Sequence, residues 1–419
     1  MNSNNLYAYG FVTILSIISF SLVNRLPIPY ELYYYITKVD QSLLTDPLTI
    51  IFQLLKTPSY FLIEFFYDNP IIFFWTSFLI DLIFSILLFY FVYSISKNSL
   101  VSLIVIFIFS PFMFAILSKI NFDPGFRVIH LYGYGSYIFS TRYIFGLLSL
   151  FSFFFLVQKK YNLSLIFYSL SLLSHPSSGL LAGIFLLSTI LIIRINFKYI
   201  IKFLIYSLIG LAPTFIKLWN LNNFNPNVNI LSNKDWYLRL IHDEPDDFSL
   251  IFNLIETPMD IIITSFIVCL LSYHLYKNLN LDKLIKKILY CSLCLPIFFY
   301  FIFLVLEYLS VYFNFFLLVD PIIKTQAGLK ILKFCYFPIV ISTALILKDK
   351  TFLQKYSYNI NSKLKSLFYL ILLIGPLIFI FVNPQQIKNK KVLLSNLNKV
   401  KKNNYLDYIY ASSFINKNI

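Results

Sequence analysis

The side chains best equipped for chemistry sit in four short stretches of the chain. The first, Pro29-Tyr30-Glu31-Leu32-Tyr33-Tyr34-Tyr35 with Asp40 close behind, offers two carboxylates among interfacial aromatics. Partial desolvation raises a carboxylate's proton affinity toward neutral pH and suits it to general-base work, which makes Glu31 and Asp40 the candidate bases; ordinary solvated loop acids are the alternative. The second stretch follows the turn Asp123-Pro124-Gly125 with Arg127, His130 and Arg142. Guanidinium binds phosphate oxygens through a two-pronged fork, so Arg127 and Arg142 are candidate substrate ligands, with Arg142 snorkelling to headgroups as the alternative.

The third stretch, His175-Pro176-Ser177-Ser178-Gly179, has proline where a helix begins. A helix start turns free N–H groups outward and can hold an anion, which makes His175 and Ser177 binding candidates. In the fourth, Trp236-Tyr237-Leu238-Arg239-Leu240-Ile241-His242, Arg239 and His242 are three residues apart and share one face of any helix. The acids Asp243, Glu244, Asp246 and Asp247 follow. They leave a divalent cation open, although the spacing matches no established metal motif and a solvated surface helix is the default. Asp81 stands apart inside an apolar run, where a carboxylate is a functional candidate; Ser77 and Ser85, one turn away on either side, are available to satisfy it.

The elements that position these groups must live in lipid. Hydrophobic residues make up 58% of the chain and charged residues 13%, about half the charged share of soluble domains, and the mean hydropathy is +0.75. That balance excludes a water-soluble enzyme and a disordered chain. The net charge of +15 fits cytoplasmic loops facing anionic lipid better than a nucleic-acid partner. The abundant Phe and Tyr match the codon bias of an AT-rich genome and carry no functional weight.

A bilayer core takes about 20 apolar residues as helix. Such runs lie near 8 to 24, 69 to 95, 99 to 117, 138 to 157, 199 to 219, 257 to 276, 288 to 308, 329 to 347 and 364 to 382. The stretch from Tyr161 to Ile193 is too long for one helix and is interrupted at Pro176, which removes a donor and disfavours helix at the preceding residue. It predicts two short helices, the first so short that His175 stays recessed in the membrane. The result is an all-α bundle of about 11 spans (10 to 12) over residues 1–382, followed by a Lys- and Asn-rich tail over 383–419.

Charge supports the hairpin. With the N-terminus inside, 15 Lys and Arg fall in five compact inner loops and 12 are spread over longer outer segments, as the positive-inside rule requires. The outer loops are then 25–68, 118–140, 220–256 and 309–328, so all the candidates above except Asp81 share one face. The first apolar run lacks a basic flank and a small-residue cleavage site and reads as an uncleaved first helix rather than a signal peptide.

Cys269, Cys291, Cys294 and Cys335 all lie in apolar runs. Cys291 and Cys294 form a CxxC without a second ligand pair, which suits helix packing rather than metal or redox chemistry. Phosphate-loop, dinucleotide, zinc-protease and nucleophile-elbow motifs are missing from the sequence, as are inverted repeats.

An acid with tyrosines after the first span, an Arg opening a span near the first third, Leu172-Leu173-Ser174-His175-Pro176, and Tyr237-Leu238-Arg239 with His242 resemble a group of uncharacterised bacterial multi-pass proteins. That group is similar to GT-C glycosyltransferases, which take sugar from a polyprenyl-phosphate donor. The resemblance implies a GT-C-like fold in the bacterial inner membrane, sugar transfer at its outer face, a lipid-linked sugar as substrate, and a first-loop base at Glu31 or Asp40. It carries His175, Arg239 and His242 over only to a motif of unknown role. A transporter or flippase for a lipid-linked or anionic solute is the alternative, as is a non-catalytic subunit of a membrane complex. No motif specifies an organic cofactor or an oligomeric state.

Overall fold

The computed structural model describes residues 3–22, 70–109, 141–193, 196–224, 249–256, 258–278, 282–315 and 331–349, with isolated positions at 234, 238 and 374. All regular elements among them are helical: α1 (Ser3–Leu22), α2 (Pro70–Ser96), α3 (Ser99–Ile108), α4 (Thr141–Val157), α5 (Tyr161–Ser174), α6 (Pro176–Ile193), α7 (Phe197–Phe224), α8 (Leu250–Glu256), α9 (Pro258–Asn278), α10 (Lys283–Tyr312), a 3-10 turn (Ile331–Cys335) and α11 (Tyr336–Asp349). The apolar run at 364 to 382 and the tail at 383–419 fall outside the described residues.

Polar punctuation sets the helix ends. The Asn98 side chain accepts from the Leu100 and Val101 amides at the start of α3, and Asp282 does the same for Leu284 and Ile285 at the start of α10. Lys159 takes a left-handed φ of 63° after α4. There the Lys160 amide donates back to Phe155 and the Lys159 amide to Leu156, which satisfies carbonyls that the helix end would otherwise strand.

Contacts fix the helix directions. Ser16 against Ser85, at 3.3 Å, makes α1 and α2 antiparallel, so Ser85 pairs with α1. The Ser152 hydroxyl donates to the Ser164 carbonyl across the α4–α5 turn. Tyr161 packs on Tyr199 and Tyr168 on Phe203, which makes α7 parallel to α5. The Tyr290 hydroxyl and Lys286 ammonium donate to the Ser272 and Tyr276 carbonyls, which makes α9 and α10 antiparallel. These directions bring Lys97, Lys159, Lys160, Lys198, Lys202, Lys283, Lys286 and Lys287 to one pole. There the Lys159 ammonium meets the Asp282 carboxylate at 2.7 Å.

That hydrogen bond from Lys159, with the Leu284 amide next, holds the Asp282 carboxyl below its ordinary value. A depressed folded value means that the tie is fully present above the unfolded pKa and is lost as the pH falls through the folded one. Asp282→Asn is therefore expected to lower neutral-pH stability slightly and to flatten the acid limb of a melting-temperature profile by the same small amount, because both partners are exposed and such pairs contribute little.

The sequence from Tyr161 to Ile193 forms the expected helical hairpin. His175, at φ −148° and ψ 87°, breaks the helix after the 14 residues of α5, which at 1.5 Å each reach only ~21 Å. Gly179 and Gly183 of α6 face Leu172 and Tyr168 of α5, and Gly210 of α7 faces Ser169 and Leu172 from the other side. Small residues four apart let helix backbones approach closely in lipid. The 28 residues of α7 run well past the hairpin tip, so His175 is recessed.

Three described helices, over Phe197–Phe215, Lys283–Tyr312 and Ile331–Lys348, are long and apolar enough to cross a membrane. The first is only 11% buried in the bundle and the last 67%. Outward Leu208 and Ile209 on α7 are more than half exposed, a surface suited to lipid rather than water, whereas α11 is core.

Candidate functional site

The site is built on the hairpin tip. The His175 amide donates to the Ser171 carbonyl, and its own carbonyl accepts from the Gly179 amide, so one residue closes α5 and opens α6. Its imidazole Nδ1 accepts from the Ser178 amide at 3.3 Å, the task usually done by a Ser or Asp side chain. With Nδ1 used as acceptor, the neutral ring carries its proton on Nε2. His175 is fully buried. One of the N–H groups expected to face an anion at this helix start, that of Ser178, is thus taken by the His175 ring itself.

The His175 ring lies 6.0 Å from Phe145 of α4, three positions after Arg142. The backbone at Arg142, near the start of α4, and at Ser177, in the first turn of α6, therefore lies toward the His175 end of the hairpin. Asp81 is placed as a position within α2. Glu31, Asp40, Arg127, Arg239 and His242 lie outside the described residues, as does the acidic run after His242.

Two further buried ionisable groups lie on elements packed against the hairpin. Glu307, near the end of α10, is 0% exposed. Its carboxylate accepts from the Ser249 hydroxyl at 2.6 Å and the Leu250 amide at 2.7 Å, anchoring the start of α8. Lys333, in the 3-10 turn, is 3% exposed. Its neighbour Phe334 packs on Phe145 and Phe185. Leu181 of α6, Leu250 of α8, Phe303 of α10 and Ile331 of the turn share one core cluster, so the elements carrying His175, Glu307 and Lys333 pack together. Lys333 is not among the candidates drawn from the sequence, although a lysine between Leu332 and Phe334, three residues after Lys330, is a signal in itself, since an ion inside an apolar run needs a reason.

Cys291 is buried, and the Cys294 sulfur lies 3.7 Å from the Ser272 hydroxyl, a helix-packing role. Among the described residues, no group of His, Cys, Asp and Glu is arranged to hold a metal. Below the hairpin tip, toward the lysine pole, α4, α5, α6, α10, the 3-10 turn and α11 border a half-open, mostly apolar cavity of about 90 Å³.

No family model, curated protein or solved structure matches the chain. Its all-helical architecture and three long apolar helices point to a membrane protein.

Proposed function

We propose that the protein is an integral membrane transferase of GT-C type, moving a sugar from a polyprenyl-phosphate donor at the lysine-poor face of a bacterial inner membrane. The observation that carries this reading is the buried His175 at the hairpin tip, with Phe145 of the helix that begins at Arg142 lying 6.0 Å from its ring, at the end of that hairpin away from Lys159 and Lys160. A transferase needs its polar groups at one mouth, whereas a carrier needs them midway through the bundle. In this reading Glu31 or Asp40 deprotonates an acceptor hydroxyl, which attacks the anomeric carbon as the lipid phosphate departs. Arg127, Arg142, Ser177, Arg239 and His242 are its proposed ligands, since stabilising developing charge is usually the largest catalytic contribution; a divalent cation is compatible with the acids after His242. One observation favours the second reading, a transporter or flippase for a lipid-linked or anionic solute. It is the mid-bundle cavity, whose lining includes serines and a threonine although most of its surface is apolar and it contains no cation to hold an anion.

The test is transfer from a radiolabelled polyprenyl-phosphate sugar by the full chain in vesicles. Glu31→Gln or Asp40→Asn is expected to lower the rate by at least about 100-fold. Full activity in both variants overturns the base assignment. Absent transfer by the wild type together with uptake of the labelled lipid overturns the enzyme reading in favour of the carrier.

A further inference from the structure

We propose that the seam between α5 and α7 at the lysine pole binds one anionic phospholipid, with its phosphate held by Lys198 and Lys202 and an acyl chain laid along the apolar groove below them. The two helices pack through Tyr199, Phe203, Tyr206 and Gly210 of α7 against Tyr161, Tyr168 and Ser169 of α5. Beside that packed stripe, Lys198, Lys202, Ile205 and Ile209 follow one another at steps of three and four residues and so share one face of α7. Asn162, Ile166 and Leu170 do the same on α5. The Lys202 ammonium donates to the Asn162 side-chain oxygen at 2.8 Å, which puts the two rows on the same edge of the seam.

The rows divide by chemistry along the helix axes. At the pole, Lys202 Nζ lies 5.3 Å from the centre of the Tyr199 ring, whose face attracts it, so ring and amide together fix the ammonium in place. Asp282 is already taken by Lys159, and among the described residues no carboxylate pairs with Lys198 or Lys202. Their charge is left for an anion from outside the chain. Below them Ile166, Leu170, Ile205 and Ile209 are each more than a third exposed. The seven residues from Lys202 to Ile209 span ~10 Å, which carries the groove from headgroup depth into the acyl region.

Charge complementarity selects the occupant. A second copy in the same membrane orientation would bring lysines against lysines. A zwitterionic lipid carries its own cation beside the phosphate, whereas a net negative headgroup gains about 1 kcal/mol per lysine near the surface. A free phosphate ion would leave the isoleucine and leucine rows uncovered. The site is at the opposite end of the hairpin from His175 and takes no part in the transfer proposed there, so either can fail without the other.

The experiment is thermal unfolding of the full chain in neutral detergent at low salt, with increasing phosphatidylglycerol, phosphatidylcholine or inorganic phosphate. A ligand that binds only the folded state raises the melting temperature in a saturable way, and this is expected for phosphatidylglycerol alone. Lys198→Gln/Lys202→Gln should need about tenfold more of that lipid for the same rise. Lys198→Arg/Lys202→Arg should keep the response, as should Lys283→Gln/Lys287→Gln, which removes the same charge elsewhere at the pole. Lys198→Gln alone touches a side chain with no hydrogen bond among the described residues; it should need about fivefold more lipid and carries the comparison if the double variant is unstable in detergent. Equal responses to the two lipids overturn the proposal, as does a rise with inorganic phosphate equal to that with phosphatidylglycerol. Equal losses in the two Gln pairs overturn it as well, since they would mean attraction to the pole as a whole.

Discussion

Gly179→Ala is expected to be among the most damaging single methyl additions in the described bundle. A Cβ at this position would sit 2.5 Å from the Leu172 Cα and 2.6 Å from its Cδ1. The first of these is backbone, so no rotamer change relieves it, and α5 and α6 would have to move apart. Nor can α5 retreat the other way, because Gly210 of α7 already brings its backbone against Ser169 and Leu172. Separation would also pull the Ser178 amide from the His175 ring. Overpacking costs typically about 1–3 kcal/mol, and a backbone collision with no direction of relief belongs at about 3 kcal/mol or above. Gly10→Ala in α1 is the control, since nothing lies within 4 Å of its added methyl and alanine is the better helix former. Unfolding of the two variants side by side in detergent decides the matter, and equal stability would show that the hairpin is looser than described.

Removing the Glu307 carboxylate is the second large effect. Glu307→Ala strands the Ser249 hydroxyl and the Leu250 amide in a buried setting. Hydrogen bonds to a charged acceptor contribute about 1.5–3 kcal/mol, and unsatisfied buried donors cost about 1–3 kcal/mol each, so a loss of about 3–5 kcal/mol is expected. Glu307→Gln keeps one acceptor for the Leu250 amide, and the Ser249 hydroxyl can rotate to accept from the new NH₂, so about half of the loss should return. Amide hydrogen exchange at Leu250 and Ile251 reports the local event, with faster exchange expected in Glu307→Ala. Unchanged exchange would mean that α8 is anchored by other contacts.

The two cases show different degrees of legibility. The break at Pro176 is local chemistry, a missing donor and a restricted neighbour, and it is readable from the chain. The glycine face that clamps the hairpin also leaves a trace, since Gly179 and Gly183 have the four-residue spacing of close helix contacts, but spacing alone cannot say which helix they meet. Glu307 looks like an ordinary acid near the end of an apolar run. Its role depends on Ser249 and Leu250, more than fifty residues earlier in the chain, and such a pairing leaves no local pattern.

Composition and periodicity by themselves pointed to the membrane, to the helical class and to the gathering of Lys97, Lys159, Lys160, Lys198, Lys202, Lys283, Lys286 and Lys287 at one pole of the described bundle, because hydrocarbon tolerates only backbone whose hydrogen bonds are closed within each segment and cations collect in the loops on one side. The chain also marked His175 as special through the proline that follows it. Only the tertiary structure decided that the His175 ring caps α6, that Glu307 anchors the start of α8, and that the 3-10 turn carrying the buried Lys333 packs against α4, α6 and α10. Apart from the His175 cap, which joins residues three apart, these are meetings of residues far apart along the chain, and side-chain packing rather than hydropathy fixes who meets whom.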